Sequence, residues 1–329
     1  MRKAVNLSAA LSAVAAMVGA GFASGRELVV FFAGQGAASW LGVGIACAGA
    51  GFLTGAITSL ARRTGKRDLP GIFARTMGRG SGIAMRAVYS ALLVLCAAAM
   101  LSTGATLGAL TFPVHGAFLM GTAITFFCAL ALTRRGALSV AGLVLVAGMA
   151  AWYLALGAGQ GGGGVRVGGS AVISAASGMI YAAFNATVAA GVICLNATEE
   201  TRPVRVGLYA GLLLAVMLVP ANWALLRTGV DIRQMALPSV VMAQTWGVSG
   251  YYLSIAALFL AVVTTLSAAL SSLRAVLEEI GLRPGQAIFF ASAAALMLSL
   301  AGLTALVGVG YPAVGFACAL MLLMLISYI

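Results

Sequence analysis

The chain has 329 residues, of which 62% are hydrophobic and only 8% charged, and its 19 basic against 7 acidic residues give a net charge of +12. Its mean hydropathy is +1.08, and it carries about a third of the charge of an ordinary soluble domain, which excludes a water-soluble globule and points to lipid as the solvent. The net charge does not indicate a nucleic-acid partner, because the basic residues fall in short loops between apolar runs, where membrane topology accounts for them.

A helix crosses the hydrocarbon core with about 20 residues. On that measure the chain reads as about ten spans: Val5–Ala33, Trp40–Ala61, Ala84–Leu110, Gly116–Thr133, Ala137–Gly159, Ala171–Asn196, Val206–Leu226, Tyr251–Leu277, Ala287–Leu303 and Tyr311–Tyr328. Turn and charge signals separate them, among them Arg62-Arg63-Thr64-Gly65-Lys66-Arg67, Arg134-Arg135-Gly136 and Gly161 to Gly164. The first run is far longer than the apolar core of a cleavable signal, so none is expected. Two connections are long enough to hold more than a turn. Asp68–Gly82 mixes apolar and basic residues, as a helix along the membrane surface would, and Gly229–Ser249, with Leu237-Pro238 and Trp246, suits a short helical lid.

Cytoplasmic loops carry the Lys/Arg excess. With the N-terminus inside, fifteen basic residues fall on the cytoplasmic side, from Arg2 and Lys3 to Arg274 and Arg283. Three (Arg166, Arg227 and Arg233) fall outside, and Arg26 lies within the first span. That asymmetry predicts a multi-pass protein of a bacterial cytoplasmic membrane with its N-terminus in the cytoplasm. The whole chain is then one transmembrane domain.

Little in the sequence points to catalysis. The five cysteines, Cys47, Cys96, Cys128, Cys194 and Cys318, are scattered through apolar runs without disulfide or metal-ligand spacing. The single histidine, His115, sits beside Pro113 in a short loop, and Glu199-Glu200 and Glu278-Glu279 follow spans as solvated helix ends do. No phosphate-binding loop, haem or flavin signature is present, so neither an enzyme nor a bound cofactor is expected.

Ten spans divide as five plus five, with repeat one over about 1–165 and repeat two over about 166–329. Five is odd, so the second copy enters from the opposite side, the inverted repeat of many secondary transporters, whose sites lie where helices are interrupted at matching positions. The first span has such a stretch, Val18-Gly19-Ala20-Gly21-Phe22-Ala23-Ser24-Gly25-Arg26-Glu27. Its glycines each weaken a helix by roughly 1 kcal/mol against alanine. Gly21-xxx-Gly25 is equally a close-packing pattern that needs no substrate. The charges that follow favour a functional reading, because a charge inside a span is costly. In the sixth span Ser177–Thr187 is the matching candidate, with Tyr181 and Asn185 as polar groups one turn apart at membrane depth.

The stretch Val18–Glu27, followed by Phe31-Phe32, resembles the first helix of the YkvI-like bacterial membrane proteins, which are grouped near the amino-acid/polyamine/organocation transporters. The resemblance is close in the first helix and looser in the sixth. It implies the LeuT fold, all-helical with discontinuous helices one and six. It implies that the main chain at Gly19, Ala20 and Gly21 takes a substrate carboxylate, with Phe22, Tyr181, Phe184 and Asn185 lining the site. A sodium ion would take the carbonyls of Ala15, Val18 and Ala261 and the hydroxyls of Thr264 and Thr265. The fifth span has no lysine to replace that ion, which favours Na⁺ coupling.

Arg26 and Glu27 lie roughly 10–12 Å outward of Gly19 if the helix runs on, and the resemblance implies an outer-gate position for both. The tenth span offers Arg26 no acidic partner. The leading expectation is a Na⁺-coupled secondary transporter of an amino acid or similar small zwitterion. Two alternatives stay open: a ten-helix transporter of the drug/metabolite type, marked by continuous first and sixth helices, and a sensor that binds without flux.

Overall fold

The computed structural model describes residues 2–133, 141–161, 168–228 and 231–328. Arg134-Arg135-Gly136, the start of the fifth span, most of the Gly161 to Gly164 break, Arg166 and Gly229 therefore lie outside the described residues.

The first apolar run is not one helix. It comprises α1 (Arg2–Met17), α2 (Ala20–Ser24) and α3 (Arg26–Phe31), and a 3-10 segment over Ala33–Ala38 leads into α4 (Ser39–Thr64). Then come α5 (Leu69–Met77), α6 (Arg79–Thr111), α7 (Ala117–Thr133) and α8 (Ala141–Ala158). The second half runs α9 (Ala171–Val188), α10 (Ala190–Leu195), α11 (Pro203–Arg227), α12 (Pro238–Ala243), α13 (Gly247–Glu279) and α14 (Pro284–Ser299). It closes with α15 (Leu303–Ala305), a π turn over Leu306–Gly310 and α16 (Tyr311–Ile326). Among the described residues there is no strand, and six helical stretches are long and apolar enough to cross a membrane. Four shorter apolar helices accompany them: Ala4–Met17, Ala117–Leu132, Ala147–Ala158 and Pro284–Ser299.

The burial pattern is that of a protein solvated by hydrocarbon. Leu119, Val204, Leu212, Met297 and Leu300 are largely exposed, while Asn6, Arg26, Glu27, Thr54, Asn185, Asn222 and Ser267 are buried. Apolar side chains cost nothing against lipid tails, whereas polar ones must turn inward to partners.

Close approach of backbones sets the scaffold. α4 lies against α11 where Gly51 and Gly55 meet Gly207 and Gly211. A Cβ on Gly51 would come 2.8 Å from the Gly207 carbonyl oxygen, and one on Gly207 2.5 Å from that of Gly51. Such small-residue crossings supply the packing that a hydrophobic effect cannot supply in lipid. α4 also lies along α9, and α1 packs on α11 and α8. α6 packs on α7 and α14, α13 packs on α14 and α7, α6 and α13 lie side by side, and α16 runs along α9.

The two ends of the bundle differ. At one, a backbone N–H of Arg202 donates to Asn6 Oδ1 (2.7 Å), Arg62 donates to the Thr201 carbonyl (2.6 Å), and Arg86 pairs with Glu279 (3.1 Å). This basic end gathers loops that the sequence places on one side. Its surface helix α5 is capped by Asp68, which accepts the Gly71 N–H, and buries Leu69, Ile72 and Phe73. At the opposite end Arg233 donates to the Gly34 carbonyl (2.6 Å) and Arg227 to those of Gly157 and Gln160. Here α12 buries Pro238, Val240 and Met242, giving the expected short lid a packed inner face.

Candidate functional site

The breaks in the first helix follow from its glycines. The Val18 N–H to the Val14 carbonyl (3.0 Å) is the last bond of α1, and the Ala23 N–H to the Gly19 carbonyl (3.1 Å) opens α2. Gly19 between them is extended, with φ −107° and ψ −170°. The end carbonyls of α1 and the first amides of α2 therefore stand outside the helical ladder, in the interior of the bundle. The second break is Gly25, at φ 79° in the left-handed region, where a side chain would cost roughly 1–2 kcal/mol. Its N–H closes α2 on the Phe22 carbonyl (3.0 Å), and the Ser24 hydroxyl donates to the Gly21 carbonyl (2.9 Å).

The Gly25 turn folds α3 back on α2. In a continuous helix Gly21 and Glu27 would be roughly 9 Å apart along the axis. Here a Cβ on Gly21 would collide with Glu27 Oε2. Glu27 is only 4% exposed. Its carboxyl is approached by the side chains of Asn185 and Tyr181 from α9, and it lies near Tyr153 of α8, Cys96 of α6 and Tyr311 of α16. No ion pair reaches it among the described residues. The Tyr181 hydroxyl and the Asn185 amide are placed to donate to that carboxyl. Asn185 also donates to the Tyr181 carbonyl (3.0 Å).

Aromatic rings of this region pack on one another. Tyr181 stands edge-on to Phe31 and Phe32, with centroids 5.3 and 4.8 Å apart. Phe184 lies on Tyr311 at 4.6 Å. Phe22 meets the Tyr153 ring at 5.7 Å, and the Tyr153 hydroxyl donates to the Phe22 carbonyl (2.6 Å).

The two residues expected at an outer gate are set apart by this geometry. Arg26 turns away from Glu27 and donates through Nη1 to the carbonyls of Arg233 and Met235 at the end opposite the basic one. Arg26 thus ties the broken helix to the connection between α11 and α12 through backbone carbonyls rather than through an acid on the tenth span. Glu27 belongs with the interior cluster instead. The separation arises because Gly25 ends one helix and starts another, so helical spacing does not carry across it.

Of the expected ion-site residues, Thr265 stands at the same break. A Cβ on Gly19 would lie 3.1 Å from Thr265 Cγ2 and 3.4 Å from its hydroxyl, so α13 abuts the gap directly. The Thr264 hydroxyl donates to the Leu260 and Ala261 carbonyls (2.9 and 3.0 Å) of its own helix. Ala15 lies in the last turn of α1 and Val18 just beyond it, at the negative end of the helix dipole.

The sixth-span break is displaced from its expected place. α9 is continuous through Ser177–Thr187 and ends at Val188, and a turn at Ala189 separates it from α10. The Ala189 N–H still bonds the Asn185 carbonyl (3.0 Å), and Ile193 bonds Ala189 (2.9 Å). The reason lies in Gly178, the one glycine of that stretch, which is used for packing: a Cβ there would collide with the Gly42 carbonyl oxygen of α4. Tyr181, Phe184 and Asn185 therefore project from an intact helix, whereas Gly19, Ala20 and Gly21 offer main chain from a broken one.

Sequence reading missed Tyr153, Cys96 and Tyr311. Tyr153 was visible as a phenol inside an otherwise apolar fifth span, but only the fold shows that it clamps the first helix. No family model matches this chain, and no curated protein matches it.

Proposed function

We propose that this protein is a secondary transporter of small amino compounds, the class that includes the amino acids and similar zwitterions expected from the resemblance. The observation that carries this reading is the first helix, broken at Gly19 and Gly25 inside a lipid-solvated bundle, with a buried carboxylate and aromatic rings gathered at the break. A discontinuous helix with polar groups at its ends is the site architecture of transporters; of the two continuous helices that would favour the drug/metabolite alternative, the first is broken and the sixth runs intact through Val188.

Packing supports a ten-span, five-plus-five inverted repeat. Exchanging the first helix with the sixth, α4 with α11, α6 with α13, α7 with α14 and α8 with α16 maps several neighbours onto neighbours, while the α8–α11 and α6–α16 contacts have no counterpart of like extent. The α4–α9 contact becomes α11–α1, α6–α14 becomes α13–α7, and α9–α16 becomes α1–α8. The surface helix α5 on α6 becomes α12 on α13. In the proposed topology the basic end is cytoplasmic by the positive-inside rule, in a bacterial cytoplasmic membrane, with the N-terminus inside.

The mechanism is alternating access about the break. Phe31, Phe32 and Tyr181 with the Arg26 anchor close the outer side, and α4, α6, α11 and α13 form the frame against which the broken helix moves. Sodium is the coupling ion in this proposal, held by the carbonyls of Ala15, Val18 and Ala261 and the hydroxyls of Thr264 and Thr265. Thermal-shift and scintillation-proximity binding on purified protein, in NaCl against KCl, tests it. Stabilisation by an amino compound that requires Na⁺ and is lost in Thr264→Ala supports the coupled transporter. Binding of equal strength in KCl removes the sodium site, and binding by no amino compound removes the transport proposal.

A further inference from the structure

We propose that the cavity between the ends of α4 and α10, at the basic end of the bundle, binds the phosphate headgroup of an anionic phospholipid. The inference goes beyond the transport reading and does not depend on the transported compound.

The first observation is a built cavity. It has a volume of about 940 Å³ and is walled by the last turns of α4, the α4–α5 connection, the end of α10 and the start of α11. Its walls are tied together. Arg62 Nη1 donates to the Thr201 carbonyl (2.6 Å), and the Thr201 hydroxyl donates to the Thr198 carbonyl (2.6 Å). Gly65, at φ 67°, ends α4 with its N–H on the Ala61 carbonyl (2.9 Å), and Lys66 and Arg67 follow that turn into the lining.

The second observation is the charge of the lining. Arg62, Arg63, Lys66 and Arg67 meet a single acid there, Glu199. The dipole of α4 accounts for cations in its last turn, which Arg62 and Arg63 occupy. Lys66 and Arg67 lie beyond the helix, are exposed, and pair with no acid among the described residues. A concave surface of one sign concentrates the opposite charge. Guanidinium groups take phosphate oxygens two at a time, by charge-assisted hydrogen bonds, so a phosphate ester suits this lining.

The third observation separates a lipid from a soluble phosphate. α4 has 26 residues, roughly 39 Å of helix, which carries its last turn past a hydrocarbon core of about 30 Å to headgroup depth. Apolar surface begins at the rim of the cavity. Leu195 lines it and is 64% exposed, and Val204, next to the lining residue Pro203, is 83% exposed. Leu208, one turn further along α11, is exposed on the same face. A phosphate in the cavity with an acyl chain against Leu195, Val204 and Leu208 satisfies both surfaces at once. Basic pockets between transmembrane helices on the cytoplasmic side are the kind of site that holds anionic headgroups.

The test uses the purified full-length protein, stripped of lipid in dodecyl maltoside. Native mass spectrometry and thermal shift follow its titration with palmitoyl-oleoyl phosphatidylglycerol, with the phosphatidylcholine of the same chains, and with glycerol 3-phosphate. Phosphatidylglycerol is expected to bind about tenfold or more tighter than phosphatidylcholine and to raise the melting temperature, because a ligand of the folded form stabilises it. The double variant Lys66→Gln/Arg67→Gln should weaken that binding about tenfold or more. Arg75→Gln/Arg79→Gln, which removes two exposed charges outside the cavity, should leave it unchanged. The unliganded melting temperature and a monodisperse elution show that each variant is folded, and the comparison of the two lipids needs no variant. Phosphatidylcholine that binds as tightly as phosphatidylglycerol overturns the inference. Equal losses in the two double variants also overturn it, because the attraction is then a diffuse property of the basic end. Glycerol 3-phosphate that binds as tightly as phosphatidylglycerol makes the ligand a soluble phosphate and overturns the lipid assignment. All three outcomes leave the transport reading standing.

Discussion

Glycine does opposite work in two regions of this molecule. At the α4–α11 crossing, Gly51, Gly55, Gly207 and Gly211 sit in unbroken helices and let two backbones touch. In the first helix, Gly19 and Gly25 end helices and turn main-chain groups and Glu27 toward one another. The difference lies in what surrounds each glycine. At the crossing a second helix's backbone fills the space a Cβ would take. In the first helix the neighbours of Gly19 and Gly21 are the side chains of Thr265 and Glu27. A glycine against backbone lets helices close on one another, and a glycine at a break brings polar side chains to the main chain.

This comparison can be broken by mutation. The largest effect is expected for Gly51→Leu, which drives a side chain into the Gly207 carbonyl and should cost about 3 kcal/mol or more. Thermal unfolding in detergent should show an early transition or an aggregated product, and a wild-type melting temperature would remove the crossing from the scaffold. Gly25→Ala forces a side chain into the left-handed region at roughly 1–2 kcal/mol. It should displace Glu27, so that a variant with little change in stability loses ligand-induced stabilisation. Tyr153→Phe leaves the shape but strips the hydroxyl from the Phe22 carbonyl, which keeps the Gly25 N–H, at about 0.5–1.5 kcal/mol. Its melting temperature should fall modestly, and ligand binding should weaken more than stability does. The smallest change in stability is expected for Thr265→Ala, which relieves contact at Gly19. Its readout is the response to NaCl, which should shrink against KCl while the unliganded melting temperature holds.

The sequence was informative wherever the physics is local. Apolar run length marks the helices, Asp68 caps the surface helix, Leu237-Pro238 opens the lid helix, and Gly19, Gly25, Arg26 and Glu27 flag the first helix as abnormal. What could not be read there depends on which elements meet. Gly178 looks no different from Gly19 in sequence, yet Gly42 of α4 occupies the space beside it and keeps α9 whole. The opposite directions of Arg26 and Glu27 follow from the φ of one residue, Gly25. Tyr153, Cys96 and Tyr311 lie in three different apolar runs and converge only in the folded bundle. Ala189, where the sixth span turns, carries no signal of its own.

The central claim is that the broken first helix holds a moving substrate site with Glu27 at its centre, and flux tests it most directly. The measurement is uptake of the radiolabelled form of the tightest-binding amino compound into proteoliposomes, comparing wild type, Glu27→Gln and a variant of equal stability altered on the lipid face, such as Leu212→Ala. The account predicts saturable uptake in the wild type and in Leu212→Ala, accelerated by internal unlabelled ligand, and loss of uptake in Glu27→Gln. Uptake by Glu27→Gln at the wild-type rate, or tight binding with no flux in any of the three, would contradict it.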